Sequence, residues 1–101
     1  MDGHRYDMRE TVFELDSPFQ QVCSADPNRV YLCLSVTEAG ATFEATTRAD
    51  NPGGEGRFID RFCPIELAWG SSAIACQSAW WARASGIGPF KLNVLSVVKV
   101  R

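Results

Sequence analysis

The sequence predicts an all-β fold, a small antiparallel β-sandwich or jelly-roll-like barrel with an extended N-terminal arm. Two observations predict it. Turn-forming residues recur at short spacing along the chain, and the runs between them are rich in β-branched and aromatic residues. Short strands separated by turns every 8 to 12 residues or so are typical of sandwiches and barrels.

The chain has 101 residues, which is enough for one domain with a hydrophobic core. We expect an N-terminal arm with the first strand in residues 1–15 and a single β-sandwich domain in residues 16–101. Between the turns, the pattern predicts six strands, in residues 11–15, 19–24, 29–36, 42–48, 61–67 and 90–100.

A tight corner joins the second and third predicted strands. Pro27 presets its own φ, and the side chain of Asp26 can accept a hydrogen bond from the backbone two residues on. After the corner, alternation places four apolar residues on one strand face and the residues between them on the other. The four apolar residues are Val30, Leu32, Leu34 and Val36.

The corner also bears on the four cysteines at positions 23, 33, 63 and 76. Cys23 and Cys33 flank it and could oppose one another across a hairpin, so they are the pair to check for a disulfide. The polar N-terminus does not resemble a signal peptide. We therefore expect reduced thiols that act as small hydrophobic side chains.

The last predicted strand is the clearest. Its residues Leu92, Val94, Val98 and Val100 are in phase, whereas Leu95 and Val97 face the other way. A strand with apolar residues on both faces lies centrally in its sheet or is covered on both sides.

Residues 71–85 form an ambiguous segment. Its alanines suit a helix with Ile74, Ser78 and Trp81 on one stripe. Gly70 and Gly86 bracket the segment as turn residues would, and its apolar residues also suit a period of two. We favour a strand over a helix here.

Composition argues against several function classes. The net charge is −2 without a block of basic residues, so we expect no direct nucleic-acid binding. The longest apolar runs are too short for a membrane-spanning helix. His4 is the only histidine, and no two cysteines have C-x-x-C spacing, so neither a metal site nor a nucleophile activated by a base is expected.

Carboxylates were the remaining catalytic candidates. Asp60 and Glu66 bracket a hydrophobic run, but carboxylates near strand ends usually face solvent. We therefore predict no catalytic residue, no cofactor and no enzymatic activity.

Adjacent tryptophans indicate a surface role. In a strand, Trp80 and Trp81 point to opposite faces, so only one of them can enter a given core. Tryptophan is enriched at binding hot spots, and Trp69 could share the same surface. The candidate interface residues are these tryptophans, two aromatic residues of the arm and one arginine: Tyr6, Phe13, Arg57, Trp69, Trp80 and Trp81.

The order of motifs resembles small β-sandwich virion proteins of tailed bacteriophages, which serve as capsid decoration (cement), head-fibre or head–tail accessory proteins. The motifs are A-D-P-N-R at 25–29, V-Y-L-C-L-S-V at 30–36, P-I-E-L at 64–67, W-A-R-A at 81–84 and L-N-V-L-S-V-V at 92–98. The acidic, aromatic N-terminal arm and the long loop at 49–57 depart from the pattern.

The resemblance implies a structural virion protein on the capsid surface, assembled in the host cytoplasm. Such a protein stabilises the phage head by bridging subunits of the major capsid protein or another virion protein, often as a homotrimer. On this expectation residues 1–13 are an arm that adds contacts to a neighbour. The alternatives are a neck, tail or head-fibre component, and a carbohydrate-binding sandwich that uses Trp80 or Trp81 as a stacking platform.

Overall fold

The structure, a computed structural model, describes residues 5–48, 57–68 and 73–100. This part of the chain contains eight strands and one short helix. They are β1 (Arg5–Leu15), β2 (Gln20–Cys23), β3 (Arg29–Ser35), β4 (Phe43–Thr46), β5 (Arg57–Ile59), β6 (Ile65–Ala68), α1 (Ala73–Gln77), β7 (Trp80–Ala84) and β8 (Phe90–Val100).

The strands form two separate antiparallel sheets that pack face to face. The first sheet has the order β1-β8-β3-β6, and the second has the order β2-β7-β4-β5. Neither sheet closes on itself, because each ends in two edge strands. The prediction of an all-β sandwich is confirmed, and the barrel alternative is not.

The pairing pattern explains the strand order. The first strand pairs with the last, and the remaining strands pair in the same order towards the middle of the chain. The pairs are β1–β8, β2–β7, β3–β6 and β4–β5, all antiparallel. The chain therefore folds as one long double-stranded ribbon whose tip lies between β4 and β5. Rolling the ribbon up adds the contacts β3–β8 and β4–β7. This strand order is that of a jelly roll, a double-sheet fold of eight strands.

The core lies between the inner faces of the two sheets. Alternate residues of each strand enter it, as the period of two requires. The largest fully buried side chains are Phe43, Leu15, Leu32, Leu34, Ile59, Leu92 and Cys76. Phe43 meets Phe90 edge to face, with ring centroids 6.3 Å apart.

β1 is longer than the sequence predicted. It begins at Arg5 rather than at residue 11, and its register with β8 is unbroken from Arg5 opposite Val100 to Leu15 opposite Phe90. Residues 5–13, predicted as part of an arm that adds contacts to a neighbour, therefore belong to a strand of the sandwich itself. The charged residues of this segment concealed the strand, because both of its faces are exposed up to Val12.

The corner at residues 26–29 forms as predicted and joins the two predicted strands, but these strands do not form a hairpin. The Asp26 carboxylate accepts the backbone N–H of Asn28 at 2.9 Å, and the Asp26 carbonyl accepts that of Arg29 at 3.2 Å. β2 and β3 belong to opposite sheets, so the corner crosses the sandwich and is not a hairpin turn. Cys23 and Cys33 are accordingly both free thiols.

A register shift after the corner changes which residues are buried. The pairing of β3 with β8 is irregular between Arg29 and Tyr31. A bulge of this kind turns the side chains on either side of it out of phase. Arg29 is therefore 4% exposed while Val30 is only half-buried, contrary to the alternation predicted for this strand.

The ambiguous segment contains both kinds of structure. The short helix α1 lies at Ala73–Gln77 and the strand β7 at Trp80–Ala84, so the preference for a strand is confirmed only for the second half. The predicted strand at 61–67 is displaced to Ile65–Ala68. Residues before it form a turn, because the Asp60 carboxylate accepts the N–H groups of Phe62 and Cys63. β5 was missed because it is only three residues long.

Candidate functional site

An apolar stripe crosses the outer face of the first sheet. On β1, the outward residues Tyr6, Met8 and Val12 are 58%, 73% and 57% exposed. On β8, the half-buried Leu95 and Val97 point the same way. We call these five residues the outer stripe.

The strand register brings the members of the outer stripe into contact. Met8 lies opposite Val97, which in turn lies opposite Tyr31 on β3. Leu95 lies between Glu10 on β1 and Cys33 on β3. Directly opposed side chains on one sheet face are close enough to interact. Met8 and Val97 of the stripe are therefore direct neighbours on this face, and Tyr31 and Cys33 of β3 lie beside its β8 members.

Two acidic side chains lie on this face. Glu10 lies within the stripe, between Met8 and Val12 on β1 and opposite Leu95, and Glu66 on β6 lies beyond Cys33. The Tyr31 hydroxyl donates a hydrogen bond to the Glu66 carboxylate at 2.6 Å. This hydrogen bond, with partial burial and the neighbouring Cys33, raises the pKa of Tyr31, so the phenol stays protonated at neutral pH. The outer face thus has apolar side chains that Glu10 interrupts, with a polar rim at Glu66.

A shallow cavity of 340 Å³ lies at the Tyr6 end of the stripe. Its polar lining includes the Lys99 ammonium and the Gln77 amide, which already donates to the Pro27 carbonyl at 2.8 Å. Because Tyr6 borders both the cavity and the stripe, a partner seated on the stripe would reach this cavity.

The outer face of the second sheet differs in character. Its centre is the Arg83 guanidinium, which donates from two nitrogens to one oxygen of the Glu44 carboxylate, at 2.8 and 3.0 Å. The guanidinium also lies 4.6 Å from the centroid of the Phe19 ring. Glu44 is only 6% exposed. These groups satisfy one another, so this face has less need of a partner than the outer stripe.

The residues predicted as an interface lie in several places. Tyr6 belongs to the outer stripe. Phe13 packs against the core from the inner face of β1, and Trp80 is a core residue, 4% exposed, whose indole N–H donates to the Ala75 carbonyl at 2.9 Å. Trp81 is half-buried on the outer face of the second sheet. The expected division of the tryptophan pair between two faces is confirmed.

Two more predicted residues remain. The exposed Arg57 and the edge of Trp80 line one cavity of 200 Å³. This is the one place where the structure brings two of the predicted interface residues together in the described part of the chain. Trp69, like His4, lies outside the described residues.

The described thiols and the two candidate carboxylates lack the features of activated catalytic groups. Burial raises the pKa of Cys23, of Cys33 and of Cys76, so these thiols are protonated at neutral pH. Asp60 and Glu66 belong to different sheets and are engaged in separate hydrogen bonds. Within residues 5–48, 57–68 and 73–100, no three metal-binding side chains cluster.

Sequence reasoning missed Met8, Val12, Leu95 and Val97 as a joint surface. A signal was present in the alternation of Tyr6, Met8 and Val12 with the polar residues between them. It was hidden because the first ten residues are polar on average, and because the partner strand β8 lies at the other end of the chain.

Among the described helices, none has the length and apolar character needed to cross a membrane. Comparison of the chain with models of known protein families, with curated proteins and with solved structures finds no match.

Proposed function

We propose that this chain is a non-catalytic structural protein that docks onto another protein through the outer stripe. The most specific form of the proposal is a capsid decoration protein of a tailed bacteriophage, with the major capsid protein as partner. The observation that carries it is the exposed apolar stripe with its polar rim. Large contiguous apolar surfaces on small domains usually mark interaction sites.

Two further observations support the proposal. The sequence motifs that resemble phage virion proteins fall mainly on strands and turns of the sandwich, at 25–36, 64–67, 81–84 and 92–98. The jelly-roll strand order occurs in viral capsid domains, which is an analogy of fold. The same order occurs in lectins, so the fold by itself does not choose between the two functions.

The test measures binding to phage heads that lack this chain, prepared from the phage whose genome encodes it. We expect the purified chain to bind stoichiometrically and to raise the melting temperature of the heads, because a docked protein bridges neighbouring subunits. Copy number by mass spectrometry then separates the roles. Hundreds of copies indicate decoration, whereas about a dozen indicate a neck or tail ring.

A substitution on the stripe assigns the surface. Val12→Asp should weaken binding by about tenfold or more, because the variant buries a charged carboxylate in the interface where Val12 places an apolar side chain. Phe58→Asp is the matched control, since Phe58 is 63% exposed on the outer side of the second sheet. If Phe58→Asp weakens binding and Val12→Asp does not, the stripe is not the docking surface. Heads that bind no chain at all contradict the decoration role.

The carbohydrate-binding alternative rests on Trp81, which lies half-buried on the outer face of the second sheet opposite Gln21. A ring beside an amide can stack on a sugar and hydrogen-bond its hydroxyl groups. Glycan-array binding that is lost in Trp81→Ala and kept in Val12→Asp would favour this alternative over docking to a capsid.

A further inference from the structure

The free edge of the first sheet is unlike the other sheet edges. β1 is the outermost strand of its sheet, and no other strand of the described residues pairs with its second edge. The remaining edge strands are short, with four residues in β6, four in the irregular β2 and three in β5. β1 has eleven residues and no register shift. Such a long, regular edge offers a row of unpaired backbone groups to another strand.

Of the devices that block a sheet edge, β1 has charged side chains, three of them on its inner face, but it has no proline and no lysine. Residues 5–15 contain no proline, glycine or lysine. The charges that they do carry are of both signs, and Arg5, Asp7 and Arg9 share the inner face of the strand. Arg9 and Asp7 approach each other only loosely, at 3.8 Å, with both side chains more than half exposed. They are free to engage groups on a second strand.

The charge pattern is complementary to itself in one register. If Met8 lies opposite Met8 of an antiparallel second copy, Asp7 faces Arg9 of that copy, and by symmetry Arg9 faces its Asp7. Tyr6 then faces Glu10, and the Glu10 carboxylate can accept a hydrogen bond from the Tyr6 hydroxyl. Opposite charges directly across a strand pair stabilise it, and like charges destabilise it.

The neighbouring registers lack this property. A register centred on residue 7 places Asp7 opposite Asp7 of the second copy, and a register centred on residue 9 places Arg9 opposite Arg9. The register centred on Met8 therefore combines two attractive pairs with no repulsive pair over residues 5–11 of both copies.

We propose that β1 pairs with β1 of a second copy of this chain, antiparallel and about a two-fold axis at Met8. The two four-stranded sheets then form one continuous sheet, and the two outer stripes become neighbours on a single face. A two-fold interface uses the same surface on both subunits. The result is a dimer, in place of the trimer that the resemblance to decoration proteins implies. This inference does not depend on the proposed function.

The test measures molar mass against concentration by sedimentation equilibrium, starting from the 11.1 kDa of the monomer. Asp7→Arg places two arginine pairs across the axis and should weaken the dimer about tenfold or more. Asp7→Arg combined with Arg9→Asp restores opposite charges and should return the dissociation constant to within about threefold of the original. Arg61→Asp, an exposed reversal in the turn after β5, should leave it unchanged.

A disulfide reports the register directly. In a Cys63→Ser background, which removes the exposed native thiol, Met8→Cys should form a cross-linked dimer on mild oxidation. Directly opposed Cβ atoms lie about 5 Å apart, so a small shift allows the bond. Val12→Cys faces residue 4 of the second copy and should not cross-link.

Three results would overturn the proposal. The original chain could be monomeric at about 1 mM, it could be a trimer, or it could be a dimer that Asp7→Arg leaves intact. Cross-linking through Val12→Cys but not Met8→Cys would refute the register and the charge argument with it. An original chain that binds heads while it is monomeric in solution would overturn only the dimer, whereas a charge-swapped dimer that does not bind heads would overturn only the decoration role.

Discussion

Replacement of Arg29 should be among the most destabilising single changes in this protein. Its guanidinium is buried and donates to three backbone carbonyls. The acceptors are Cys76 O at 2.7 Å, Ser24 O at 2.9 Å and Ser78 O at 2.6 Å. Arg29 therefore ties the corner after β2 to the end of α1 and the chain that follows it.

The magnitude follows from these contacts. Hydrogen bonds to a charged group contribute about 1.5–3 kcal/mol each, so three of them contribute roughly 4.5–9 kcal/mol. Desolvation of the guanidinium opposes this by several kcal/mol. We expect Arg29→Met to lower the free energy of unfolding by about 3 kcal/mol. Methionine keeps much of the packing, but the three backbone carbonyls lose the hydrogen bond that Arg29 donates to each of them.

The assay is urea unfolding followed by tryptophan fluorescence, with thermal melts alongside. A loss of about 3 kcal/mol lowers the melting temperature of a domain of this size by roughly 12 °C or more. Arg29→Lys keeps the charge without the planar fork, so its stability should fall between the two. Arg57→Met, a change at an exposed arginine, should alter stability by less than about 0.5 kcal/mol. If Arg29→Met is within about 0.5 kcal/mol of the original chain, the reasoning is refuted.

Two other predictions concern the packing of the chain and its pH dependence. Gly88→Ala should destabilise the protein by about 1–3 kcal/mol in urea unfolding, because an added Cβ would lie 2.8 Å from the Leu15 backbone carbonyl. Ser85→Ala, at an exposed position three residues earlier, is the comparison, and an equal effect at both sites would contradict the argument. Burial raises the pKa of Cys76 above its usual 9.0, so the folded chain holds this proton more tightly than the unfolded chain. The contribution of the protonated Cys76 thiol to the free energy of unfolding is fully present below about pH 9, and it is lost as pH rises through the pKa of the folded chain. Stability should therefore fall above pH 9, less steeply in Cys76→Ala, and an identical slope in the two proteins would show that this thiol is not responsible.

Turn chemistry and alternation were sufficient to predict much of the fold. The corner at Asp26 forms because its signals are local, since a carboxylate and a proline act within three residues. β8 was predicted as central because Leu95 and Val97 face away from Leu92 and Val94, and it lies between β1 and β3. The division of Trp80 and Trp81 between two faces follows from the period of two alone.

The failures share a physical cause. The bulge at Val30 exchanges Val30 for Arg29 at the core, and a bulge depends on the partner strand rather than on its own residues. The strand at Arg5–Leu15 exists because β8 lies beside it, although residues 5–10 resemble a polar arm when taken alone. Reduced thiols at Cys23 and Cys33 were correctly favoured, but the hairpin across which they could oppose one another does not form, because sequence shows that a corner exists but not which sheets it connects.

By itself, the sequence determined the fold class and the main turns, because these depend on composition and on contacts within a few residues. Only the tertiary structure decided which strands pair and therefore which apolar surface stays exposed. The outer stripe joins residues from the two ends of the chain, Met8 beside Val97. It arises because the rolled ribbon brings the first and last strands together, and contacts between residues so far apart in sequence carry no local signal.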